Sequence, residues 1–106
     1  MITDEEIKQA YADFMAAEKK STLAHARHRG LYLKIEDSTK AIRAELDGAP
    51  PAVIARNITS RLATDIALLR TLEEEMIKCR DGAKMAAIQV DMLNHRLLLS
   101  DIVSRC

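Results

Sequence analysis

Residues 55–97 read ARNITSRLATDIALLRTLEEEMIKCRDGAKMAAIQVDMLNHRL. Within them Ala55, Leu62, Leu69, Met76, Ala83, Val90 and Leu97 recur every seven positions, and Ile58, Leu72, Cys79, Ala86 and Leu93 each follow a rung by three. Such a 3-4 alternation is the a/d seam of an α-helix lying along another helix, because it keeps one apolar face turned to a neighbour over many turns. Asp65 is the one charged residue on this seam. The stretch therefore predicts a long helix and a second helix beside it.

That second helix lies upstream. Ile7, Ala10, Phe14, Ala17, Ser21, Ala24, His28, Leu31, Ile35, Ser38 and Ile42 repeat the spacing with smaller and more polar residues, and Tyr11, Tyr32 and Leu46 widen the stripe. Thr3, followed three residues later by Glu6, has the pattern of a capping box, and Asp4 and Glu5 suit the positive end of the helix dipole. Asp47-Gly48-Ala49-Pro50-Pro51 closes the helix, since Gly48 can adopt the left-handed C′ conformation and the prolines can only open the next helix. These signals predict a helix over about 4–46, a turn over 47–51 and a helix over about 52–104.

Arg80-Asp81-Gly82 contains an Asp-Gly turn signal. The heptad phase nevertheless passes through it without slipping, whereas a turn would reset it. One long helix is therefore favoured over a break at 81–82 that would make a third helix. Gly30 sits on an outer position, where a helical glycine costs about 1 kcal/mol relative to alanine. The expected fold is a single all-α domain over residues 1–106, a long antiparallel helical hairpin. A lone hairpin has little interior, which is a physical motive for dimerising into a four-helix bundle.

Composition agrees with helices and limits function. Sixteen basic and sixteen acidic side chains cancel, so no whole-chain electrostatic footprint for nucleic acid exists. Cys79 and Cys106 have neither the number nor the spacing of a disulfide framework or zinc site, and only Arg105 lies close enough in sequence to activate the Cys106 thiol. The first residues lack a basic and apolar leader pattern, and no apolar run approaches the ~20 residues of a membrane span. A soluble, cytoplasmic protein is expected.

Catalytic equipment is not evident. There is no Gly-rich phosphate loop and no Glu-x-x-His pair of the kind di-iron bundles use. His25 and His28, three apart, could face one metal, but no carboxylate stands at the matching interval, and His28 falls on the seam as a core histidine would. The expectation is no enzyme, no cofactor and no metal.

Two surface features remain. Met85, Ile88, Met92, Leu99 and Ile102 form a second apolar stripe, interrupted by His95, on the side of the helix opposite Val90, Leu93 and Leu97, with Leu98 and Val103 beside it. A helix apolar on two faces has to be covered on two faces, by further packing, by a second copy, or by a partner that a Met-rich surface can adapt to. Between Lys19 and Lys34 there are five cations and no acid, and Lys20, Arg27 and Lys34 share one heptad position as a stripe. The stripe can meet phosphates, or it can be a solvated flank neutralised by acids of the other arm. An antiparallel hairpin turning near residues 48–51 pairs positions summing to roughly 98, which sets Asp65 opposite residue 33 and nearest Lys34. That pairing is expected to fix register at some cost in stability.

The function expected from these features is a non-catalytic protein-protein interaction module acting by occupancy, as an adaptor, a chaperone or a small inhibitor of a larger complex. Compact helical proteins of this kind are a common form for accessory or anti-host factors of mobile elements, an analogy rather than a derivation. The competing class is a nucleic-acid-binding helical dimer using the basic segment 19–34.

Overall fold

The computed structural model describes residues 2–105, with the backbone alone of Arg105. The order is α1 (Asp4–Glu45), α2 (Pro51–Arg61) and α3 (Ala63–Arg105), with no strand among the described residues. The fold is the all-helical hairpin expected from the heptads. Thr3 Oγ1 accepts a hydrogen bond from the Glu6 backbone N–H at 3.2 Å, satisfying one of the free donors at the start of α1. At the other end Gly48 has φ +85°, the left-handed geometry that an L side chain resists, and the Ala49 N–H donates to the Leu46 carbonyl at 3.0 Å. Pro50 then caps α2 and Pro51 is its first residue, so the missing proline N–H leaves no helical bond unmade.

α3 runs through Gly82 without interruption, so the Asp-Gly pair does not make a turn. The returning chain is interrupted instead at Leu62, which has φ −104° and ψ 10°. Its N–H still reaches the Ile58 carbonyl at 3.0 Å, and its carbonyl accepts from the Ile66 N–H at 2.8 Å. The heptad phase nevertheless holds through Leu62, and the seam departs from expectation at Ala55. Before Leu62 the half-buried residues are Val53, Ile54, Asn57 and Ile58 while Ala55 is exposed; after it Asp65, Leu69, Leu72, Met76 and Cys79 are inside as expected. Covering Val53 and Ile54 removes far more apolar area from water than covering Ala55 would.

Contacts divide the chain into two compact units, residues 24–76 and residues 1–23 with 77–106. In the 24–76 unit α1 is antiparallel to the returning chain: Arg27 pairs with Glu75 at 3.6 Å, Lys34 with Asp65 at 3.8 Å, and Glu45 with Arg61 at 2.7 Å. Ala24, Ile42 and Leu62 are its buried residues. In the other unit Ala10, Val90 and Leu93 form a buried cluster flanked by Ile2 and Phe14, and the Asn94 side-chain amide donates to the Tyr11 hydroxyl at 3.2 Å. Every seam position of α1 from Ile7 to Ile42, and every one on the returning chain from Ile58 to Leu97, is buried or half-buried. Small residues at Ala10, Ala24 and Ala83 let the helices approach closely. The larger side chains keep an edge in water, as the thin interior of a helix pair requires.

Candidate interaction surface

The second apolar stripe lies in the unit formed by residues 1–23 and 77–106. α3 turns Ala83, Val90 and Leu93 toward α1, and each of these is buried. At 3.6 residues per turn this sends Met85, Ile88, Met92, His95, Leu99 and Ile102 to the far side. The structure leaves all of them exposed, Met85 at 66% and Met92 at 47%. Leu98 and Val103 are exposed beside them. Ile88, Met92 and His95, bordered by Asp91 and Arg96, line a shallow groove on this face. A row of apolar side chains on one face, interrupted by His95, differs from the single exposed leucines scattered over ordinary protein surfaces.

The basic stripe is arranged differently. Lys20 is exposed, whereas Arg27 and Lys34 each face a carboxylate of α3, Glu75 and Asp65. Two of the three cations are thus partly neutralised within the chain. Asp65 is 27% exposed at its side chain and stands opposite Lys34 as the register of the hairpin predicts. The two positions sum to 99, against the expected 98.

His28 is half-buried on the α1 seam and His25 is exposed. No group of three or more His, Cys, Asp or Glu side chains suited to a metal ion is found among the described residues. Cys79 is a half-buried thiol on the seam, and Cys106 lies outside the described residues. Among the described residues no helix is long and apolar enough to cross a membrane.

Two features escaped sequence reasoning. The end of α1 and α2 form a groove lined by Arg43, Asp47, Pro51, Ile54, Ala55 and Ile58. At the same end Arg61 donates two hydrogen bonds to Glu45, at 2.7 and 3.2 Å, joining the last residues of α1 and α2. The guanidinium beside it, by hydrogen bonding first and charge second, holds the Glu45 carboxyl below its ordinary value and raises that of Arg61. The two positions sum to 106, seven more than Lys34 and Asp65, so the hairpin register does not pair them, and no periodicity distinguishes them from other surface charges.

Compared with protein-family models, curated proteins and solved structures, the chain matches none.

Proposed function

We propose that this chain is a non-catalytic protein-protein interaction module that acts by occupancy, in the manner of an adaptor, a chaperone or a small inhibitor of a larger complex. The observation that carries the reading is the outer face of α3. Its inner face is already packed on α1, yet Met85, Ile88, Met92, Leu99 and Ile102 remain in water on the other side. Most of these side chains are already half covered, so each gains on the order of 1 kcal/mol on full burial, and covering the whole face is a drive toward association. Methionine at two of the five positions suits a surface that adapts to a helix laid along it.

The competing reading, a nucleic-acid-binding helical dimer working through segment 19–34, has less support. Arg27 and Lys34 already face acids, which leaves Lys20 as the member of the stripe without an ion pair among the described residues. Tyr32 is the one aromatic residue in the segment available for stacking on a base.

Capture from the lysate of its own host tests the choice, with nuclease treatment and a high-salt wash, run side by side for the natural chain and Met92→Glu. The reading expects a protein in stoichiometric amount that survives the wash and is lost with Met92→Glu while helicity is kept. Nucleic acid that disappears with salt would contradict it, because phosphate contacts release counterions and weaken steeply with ionic strength, whereas apolar contacts do not.

A further inference from the structure

We infer that the outer face of α3 pairs with the same face of a second copy of this chain, the two α3 helices parallel and in register. The inference rests on the outer face being an interaction surface and names its resting occupant, which a partner protein captured through the same face would displace. On this face the 3-4 spacing makes Met85, Met92 and Leu99 the a positions and Ile88, His95 and Ile102 the d positions of a heptad. The flanking g and e positions are then Lys84, Asp91 and Leu98 on one side and Gln89, Arg96 and Val103 on the other.

In a parallel pair each g residue meets the e residue five positions further on in the partner helix. Asp91 then faces Arg96 of the second copy and Leu98 faces its Val103, an ion pair and an apolar pair, each occurring twice by symmetry. Neither Asp91 nor Arg96 takes part in an ion pair within the chain among the described residues. His95 faces itself, where two neutral imidazoles can share one N–H···N hydrogen bond.

Antiparallel pairings satisfy less. The register that uses the whole stripe sets Met85 against Ile102 and Met92 against His95, so the imidazole meets a thioether and Asp91 meets Leu98. The register one heptad away sets Asp91 against itself.

The area is sufficient. With Leu98 and Val103 included, side chains each leaving on the order of 100 Å² in water would bury on the order of 700 Å² per copy, near the ~800 Å² per partner of a stable interface. α1 lies on the opposite side of α3 in this unit and does not obstruct the approach.

The test begins with native mass by light scattering, where two chains, twice 11.8 kDa, are expected. Orientation is then read by Met85→Cys in a Cys79→Ser, Cys106→Ser background under a mild oxidant, with Leu99→Cys as the second site. Parallel pairing brings the two introduced thiols together and gives a covalent dimer at either position. In the whole-stripe antiparallel register the thiols at position 85 would be about 25 Å apart along the helix, which forbids a bond. Asp91→Arg and Arg96→Asp are each expected to weaken self-association on the order of tenfold, and an equimolar mixture of the two to restore it as a heterodimer.

A native mass of one chain would overturn the inference. So would a covalent dimer from Met85→Cys with Ile102→Cys but from neither single variant. Isoleucine at d favours more than two strands in free coiled coils, so a mass above two chains also counts against it. If the chain is monomeric while Met92→Glu still abolishes capture of a host protein, the inference fails and the interaction-module reading stands.

Discussion

Lys34 on α1 and Asp65 on α3 stand 3.8 Å apart, the amine largely in solvent and the carboxylate mostly covered on the seam between the helices. A charge on an otherwise apolar seam costs desolvation, and its compensation is a partner on the opposite helix at one register alone. Asp65→Lys would set two cations against each other and is expected to lower stability by about 1 kcal/mol. Adding Lys34→Asp should recover part of the loss, with a coupling of about 0.2–1 kcal/mol from urea unfolding of the four chains. Zero coupling would mean that the pair has no part in register.

The Glu45–Arg61 bridge gives stability a pH dependence of known sign. The Glu45 carboxyl is held below its ordinary value of 4.5. A depressed folded-state value means that the bridge contributes fully above 4.5 and that its contribution is lost as the pH falls through the lower folded value. The difference in melting temperature between the natural chain and Glu45→Gln should therefore be present at neutral pH and vanish in strong acid. Both side chains are about half exposed, so added salt should shrink the difference as well. A difference that grows on acidification would contradict the assignment.

Close approach of the helices depends on small seam residues. Ala24 is 3% exposed, so Ala24→Leu must push the helices apart, at a cost of about 1–3 kcal/mol. Leu93→Ala removes buried methyl groups from the cluster with Ala10 and Val90 and should cost about 2–4 kcal/mol. Equilibrium unfolding measures both, and an unchanged midpoint for Ala24→Leu would show that the seam is loosely packed there.

Gly82 and Gly48 should respond to alanine in opposite directions. Nothing lies within 4 Å of where a Cβ would stand at Gly82, and the backbone there is helical, so Gly82→Ala should stabilise by about 0.5–1 kcal/mol. Gly48 has equal space but φ +85°, and Gly48→Ala should destabilise by about 1 kcal/mol through strain. Thermal melts of the two variants check the pair; loss of stability in Gly82→Ala would point to a break that the helix does not show.

Much of this was legible in the residues because a heptad seam carries both the element and its inward face. Positions 7 to 42 and 58 to 97 point where their spacing says, and Asp65 finds Lys34 from turn position alone. Ala55 does not, because strict periodicity weighs an alanine rung equally with the bulkier Val53 and Ile54, whereas burial weighs them by area. The interruption at Leu62 has no Gly or Pro to announce it. Asp81-Gly82 shows the reverse, a turn signal overridden by a seam that continues on both sides. For the surfaces, the α3 stripe was readable as a second face, but the partial neutralisation of Arg27 and Lys34 depended on which acids the opposite helix presents.

Methionine oxidation footprinting of the chain in its host lysate tests most directly whether the outer face of α3 is a surface that works by being covered. Sulfoxide formation follows exposure, and the chain carries its own standards. Met15 on α1 is 69% exposed and should oxidise fast, and the half-buried seam residue Met76 slowly. Met85 is as open as Met15 in the isolated chain, at 66%, yet Met85 and Met92 should oxidise at rates near that of Met76 when an occupant covers them. In Met92→Glu, Met85 should return to the rate of Met15. Oxidation of Met85 as fast as Met15 in the natural chain would contradict the proposed function.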